Sequence, residues 1–153
     1  MQKKIQLTKE GFEKIQAELL ELKTKRRPTA IDALQKARAM GDLSENTAYS
    51  SAKDELALVE GRIQEIEQIE KNAEVVVNRN NTGRVSLGSR VIVKTNGNQE
   101  EFQIVGEFEA DPLNKKLSST SPLGQGFLSK QVGDQVEIQV PAGKVVYDII
   151  EIK

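Results

Sequence analysis

Apolar side chains recur every three or four positions through the first half of the chain and gather into short β-prone runs through the second. From Thr8, the residues Phe12, Ile15, Leu19 and Leu22 mark one face of an amphipathic helix, and Thr8 is placed to cap its start. Pro28 follows the basic cluster Lys23-Thr24-Lys25-Arg26-Arg27. The stripe resumes beyond it in a shifted phase at Ile31, Leu34 and Ala37, which predicts a kink or stutter at the proline. It stops at Met40-Gly41, where glycine suits a left-handed C-terminal cap. A second stripe follows at once, Tyr49, Ala52, Leu56, Val59, Ile63 and Ile66, with no proline inside it. Two long helices joined by a few residues must run antiparallel and bury their stripes on each other. Roughly thirty residues at a rise of about 1.5 Å make a rod of about 45 Å, with its bend far from its base.

After Asn72 the runs 75–77, 90–93, 102–105, 135–138 and 145–149 read as strands. Asn80-Asn81-Thr82-Gly83 signals a turn; Thr95-Asn96-Gly97-Asn98 and Pro141-Ala142-Gly143-Lys144 signal turns that join neighbouring runs as antiparallel hairpins. One helix interrupts them, starting at Ser121-Pro122 with serine as cap and proline in the first turn, and running to Lys130. The expected class is α+β. Residues 1–73 form an N-terminal antiparallel coiled-coil hairpin with its tip near 41–46, residues 74–79 a linker or first strand, and residues 80–153 a small antiparallel sheet domain with one short helix.

Composition supports two small cores over one large one: of 153 residues only 4% are aromatic, with no Trp. The 23 acids and 22 bases nearly cancel, so the chain has no field of the kind a free-standing DNA binder carries. With no Cys and no His, thiolate and imidazole chemistry, disulfides and the usual zinc sites are excluded, and hard oxygen chemistry remains. The N-terminus turns polar after Leu7 and no run of about 18 apolar residues exists, so the expectation is a cytoplasmic protein without signal peptide or membrane span.

The chemistry sits at the bend, Gly41-Asp42-Leu43-Ser44-Glu45-Asn46-Thr47-Ala48-Tyr49. Asp42 and Glu45, three apart, read in one way as a capping box, Asp42 capping the second helix and Glu45 reaching back. They read in another as two carboxylates presented at the end of a rod and able to hold Mg²⁺. Two carboxylates make a weak site alone, because Mg²⁺ wants six oxygens, so the other ligands would come from a partner. Lys36, Arg38 and Lys53 flank the pair, either as a solvated face balancing nearby acids or as guides for phosphates. Tyr49 is placed to pack the hairpin end. Ser121, Pro122 and Leu123 open the lone helix and offer a small rigid apolar knob to a partner surface.

These strings resemble the signatures of the GreA/GreB transcript elongation factors. Gly41-Asp42-Leu43-Ser44-Glu45-Asn46-x-x-Tyr49 is similar to the family's tip motif, and Ser121-Pro122-Leu123-Gly124 to its C-terminal motif. Leu7-Thr8-x-x-Gly11-x-x-Lys14-Ile15, Arg26-Arg27-Pro28, Glu60-Gly61-Arg62-Ile63 and Gly133-Asp134-x-Val136 match further landmarks in order, across the whole chain. The resemblance, closer to GreA than to the more basic GreB, implies a coiled coil, a C-terminal domain of FKBP-like fold that docks on RNA polymerase, and insertion of the hairpin through the polymerase's secondary channel. It implies stimulation of the polymerase's own cleavage of backtracked nascent RNA at its 3′ end, not an enzyme acting alone. Neither a membrane nor a small-molecule substrate is implied. By the same likeness Asp42 and Glu45 hold a Mg²⁺ shared with polymerase, and Ser121 and Pro122 fall in the docking region. The sequence departs from the family pattern at Ala48, where many members carry Glu.

Three other readings compete. An antagonist relative would occupy the same channel and inhibit. An FKBP-like isomerase or chaperone would need an aromatic proline pocket, whereas Phe102, Phe108, Phe127 and Tyr147 are expected in the core. A coiled-coil adaptor would need no chemistry at the bend.

Overall fold

The chain opens with a strand hidden in front of the helical periodicity. In the computed structural model, which describes residues 3–41, 46–77 and 83–153, strand β1 (Ile5–Thr8) pairs in parallel with β2 (Ala73–Val76), Ile5 opposite Ala73 and Thr8 opposite Val76. This pairing groups Ile5–Thr8, expected in the hairpin, with the residues from Ala73 onward. The two compact units are Met1–Phe12 with Ala73–Lys153, and Glu13–Asn72. The first residues leave the hairpin because Leu7 is fully buried beside the second strand and Thr8 is tied to a distant carboxylate. Thr8 does cap helix α1 (Lys9–Glu21), its Oγ1 accepting from Gly11 N–H at 3.1 Å. The carboxylate of Glu109 in turn accepts from the Thr8 backbone N–H at 2.9 Å, from the Thr8 hydroxyl, and from Gly106 N–H at 3.0 Å.

The irregularity expected near Pro28 is a single π turn, Leu22–Arg26, leading into α2 (Arg27–Ala39). Arg27 N–H reaches back five residues to Leu22 O, and Pro28, which has no N–H, stands in the first turn of α2. The extra residue in that turn moves the buried stripe by one position. Leu22 is followed on the seam by Ala30 and Ala37, while Ile31, expected to be buried, is 38% exposed. Helix α3 (Thr47–Lys71) faces this seam with Ala52, Val59, Ile63, Ile66 and Ile69 buried. Side chains of this kind contribute about 1.5–3 kcal/mol each on full burial, so Ile63 and Ile66 are principal anchors of the hairpin.

Ion pairs join α3 to the other arm along the rod. Lys23 pairs with Glu67 at 2.7 Å, Arg26 with Glu55 at 3.1 Å, Arg27 with Glu60 at 2.9 Å, and Arg62 with Glu18 at 2.7 Å. These pairs tie α3 to the arm that packs against it.

In the other unit the order is β5-β4-β3-β7-β6, built from β3 (Arg90–Thr95), β4 (Asn98–Val105), β5 (Lys116–Ser118), β6 (Gln135–Val140) and β7 (Gly143–Ile152). Both predicted hairpins form, the first across Asn96 and Gly97, which both take positive φ as a two-residue primed turn requires. The sheet is mixed, not wholly antiparallel: β5 runs parallel to β4, Ile104 opposite Leu117. Lys116-Leu117-Ser118 is too short and too polar to signal a strand, and the chain reaches it through two 3₁₀ turns. Helix α4 (Pro122–Phe127) stops three residues short of Lys130, where Ser129 takes positive φ. Its Phe127 is fully buried, with ring centroids 6.1 Å from Phe102 and 5.7 Å from Tyr147. Phe108, expected in the core, is 49% exposed on a 3₁₀ turn. No helix among the described residues is long and apolar enough to cross a membrane.

Candidate functional site at the hairpin end

Helix α2 ends as its sequence signals. Met40 N–H bonds to Ala37 O at 3.2 Å, and Gly41 takes φ +115°, a conformation that side-chain-bearing residues rarely adopt. Asp42 and Glu45 fall at 42–45, outside the described residues. What lies on either side of them is defined. Asn46 is the cap of α3, its Oδ1 accepting from Tyr49 N–H at 3.1 Å. Its Nδ2 donates across the bend to Ala37 O at 2.7 Å. One amide therefore starts the second arm and satisfies a terminal carbonyl of the first. This assigns the capping position to Asn46 and not to Asp42, so the capping-box reading does not hold for α3. The signal is present in the sequence, since Asn is a favoured cap.

The three basic residues expected to guide phosphates part into two groups. Lys36 forms an i,i+4 ion pair with Asp32 at 2.9 Å. Arg38 and Lys53 pair with no acid among the described residues. Both lie over the half-buried ring of Tyr49, with the Arg38 guanidinium carbon 5.9 Å and the Lys53 ammonium 5.5 Å from its centroid. Cation–π contacts of this kind are worth about 0.5–1 kcal/mol at exposed sites. Their main effect is spatial, since one ring gathers a cation from each arm next to the bend. Beside them Ala33, Ala37, Met40, Ala48, Ser51 and Ala52 line a shallow apolar groove with Lys36 at its rim. Ala48, the departure from the family pattern, belongs to this groove.

On the sheet unit, Ser121 caps α4, its Oγ accepting from Gly124 N–H at 3.1 Å and donating to Ser118 O at 2.7 Å. Pro122 is exposed, whereas Leu123 is half-buried and packs against the sheet core. Of the expected apolar knob, Pro122 is the part that faces solvent. Phe102, Phe127 and Tyr147 pack on one another in the core. No group of three His, Cys, Asp or Glu placed to hold a metal occurs among the described residues.

A helical hairpin closed by an asparagine clamp and followed by a mixed-sheet unit defines a class, and comparison with known proteins identifies it. Residues 5–75 match the family described as transcription elongation factor, N-terminal, and residues 80–153 match transcription elongation factor, GreA/GreB, C-terminal. The chain belongs to the GreA/GreB family of transcription elongation factors. It is 44% identical over 156 residues to transcription elongation factor GreA of Thermoanaerobacter pseudethanolicus, covering 100% of this chain and 99% of the relative. It is 43% identical over 152 residues to that of Thermotoga maritima, covering 98% and 97%. Among solved structures, GreA factor homolog 1 of Thermus thermophilus aligns over 99% of both chains at 30% identity and a TM-score of 0.45.

Proposed function

We propose that this chain is a transcript-cleavage factor of RNA polymerase. It acts in the cytoplasm, inserting its hairpin into the polymerase's secondary channel while the sheet unit docks on the rim through Ser121, Pro122 and the surface around Leu123. It is not an enzyme by itself; it stimulates the polymerase's own hydrolysis of backtracked nascent RNA. The observation that carries this reading is the match of both units, end to end, to transcription elongation factors.

Asp42 and Glu45 are the residues that would hold Mg²⁺ together with polymerase groups. Two carboxylates supply hard oxygen donors of the kind this ion prefers, and their number leaves positions for phosphate oxygens and partner acids. When bound there, Mg²⁺ supplies Lewis-acid stabilisation of the charge that develops on the scissile phosphodiester. The same two side chains orient the attacking water. Arg38 and Lys53, gathered over Tyr49, receive the phosphates of the RNA 3′ segment, and Lys36 adds a third cation along the approach. Asn46 keeps the two arms joined where the acids are presented.

The test is cleavage of a backtracked elongation complex with the native chain and its Asp42→Ala and Glu45→Ala forms across Mg²⁺ concentrations. Both variants are expected to bind polymerase and to lose stimulation, with partial recovery at high Mg²⁺. Alanine forms that cleave like the native chain would overturn the assignment. Slower elongation without cleavage by the native chain would identify an antagonist instead.

A further inference from the structure

Resting on that reading, we propose that Met40 is a reversible oxidation site that tunes how the hairpin end engages polymerase. Besides Met1, it carries the only sulfur in the chain, for there are two Met and no Cys. With no histidine either, a two-electron oxidant such as a peroxide finds no thiol or imidazole to attack first. Met40 is also accessible. Its side chain is 76% exposed although it follows Ala37 by one turn and so takes the next position of the buried stripe.

That exposure is not an isolated apolar residue on a polar surface. Met40 lines the groove formed by Ala33, Ala37, Ala48 and Ala52, whose small side chains leave room beside it, and it precedes Gly41 and Asp42 in the sequence. A flexible thioether over an alanine floor is a surface that adapts to an apolar partner group. The partner here is the polymerase wall that meets the hairpin end.

In the reaction the sulfur lone pair attacks one peroxide oxygen. An S–O bond forms, the O–O bond breaks, and the departing hydroxide takes the remaining peroxide proton and leaves as water. Sulfur is oxidised by two electrons and the peroxide reduced by two. The product is a polar sulfoxide that cannot enter an apolar contact without losing its hydrogen bonds to water. Methionine sulfoxide reductases acting on both epimers return the thioether.

The experiment treats the purified factor alone with hydrogen peroxide, removes the oxidant, maps oxidised peptides by mass spectrometry, and then measures polymerase binding and cleavage. Met40 is expected to oxidise at the rate of an unhindered methionine. Because it is so exposed, helicity and melting temperature should stay unchanged. Stimulated cleavage should fall by roughly threefold to tenfold, the factor expected when a contact that buries about half of a methionine side chain is lost, and reductase treatment should restore it. A Met40→Leu form, which retains Met1, should show the same cleavage before and after the treatment, whatever its starting level. The proposal is overturned if Met40 stays reduced while Met1 oxidises, if the oxidised factor cleaves like the untreated one, or if Met40→Leu loses activity equally. Untreated factor that neither binds polymerase nor promotes cleavage would sink the functional reading instead, while the peptide map would still decide the chemistry at Met40.

Discussion

Glycine at position 11 and glutamate at position 109 are predicted to be coupled so strongly that one substitution changes sign in the presence of the other. The Glu109 carboxylate serves two backbone donors, Thr8 N–H and Gly106 N–H, and one hydroxyl donor, with Thr8 only 3% exposed. Leaving a buried donor without an acceptor costs about 1–3 kcal/mol, and the hydroxyl can rotate to another partner. With water entering part of the vacated space, Glu109→Ala should cost about 3 kcal/mol, a large share of the usual 5–15 kcal/mol of domain stability.

Gly11 lies against the same carboxylate, where a Cβ would collide with Glu109 Oε1. In the native background, Gly11→Ala must push the carboxylate off its three donors, a cost of about 1–3 kcal/mol that outweighs the roughly 1 kcal/mol gain in helix propensity. In the Glu109→Ala background the obstacle is gone and only the propensity gain remains. Gly11→Ala should then stabilise by about 0.5–1 kcal/mol, a coupling of about 2 kcal/mol in a double-mutant cycle. The assay is urea unfolding followed by the fluorescence of Tyr147, which packs on Phe127 in the sheet core, in a Tyr49→Phe background that silences the other of the two tyrosines. A Gly11→Ala cost that is the same in both backgrounds would refute the reasoning, because it would place the obstacle somewhere other than Glu109.

Asn46→Ala removes a cap and a bond across the bend, and should lower hairpin stability by about 1–3 kcal/mol in a thermal melt followed by circular dichroism; Asn46→Asp, which keeps the acceptor but not the donor to Ala37 O, should fall between. The hydrogen bonds from Arg62 hold the Glu18 carboxyl below its ordinary value of 4.5. A depressed folded-state pKa means stability that is fully present above about pH 4.5 and is lost as pH falls through the folded value, so native and Glu18→Gln hairpins should differ in melting temperature near neutrality and converge in acid. If they fail to converge, the pair contributes through packing and not through charge. Arg38→Gln and Lys53→Gln should each weaken stimulated cleavage and flatten its dependence on salt; an unchanged salt slope would argue against phosphate contact.

What was legible in the sequence is what short-range spacing dictates. The Asn96-Gly97 turn, the Ser121 cap, the Gly41 terminus and the α3 stripe each depend on residues within a few positions of one another, and each stands where the spacing places it. The π turn shows where this form of reasoning weakens. Pro28 signals an irregularity, but the sign and size of the phase shift depend on how the helix absorbs the missing N–H. A shift of one residue puts Ala30 on the seam in place of Ile31.

The features that matter most to the proposed site belong to a different range. Asn46 reaches Ala37 across nine residues, Tyr49 collects Arg38 from the opposite arm, and Glu109 reaches Thr8 across 101 residues. None of these partners can be chosen before the chain has folded back on itself, because each is one acid, amide or cation among many of equal local merit. The closure of the hairpin decides among them. The same geometry explains why the cations near the bend differ from those along the rod: Arg26 and Arg27 stand opposite glutamates of α3, whereas among the described residues Arg38 and Lys53 meet only a ring. Cations paired along the arms and, among the described residues, without an acid beside the bend are the arrangement a phosphate-guiding site requires, and the salt slope of the Arg38→Gln and Lys53→Gln forms measures it directly.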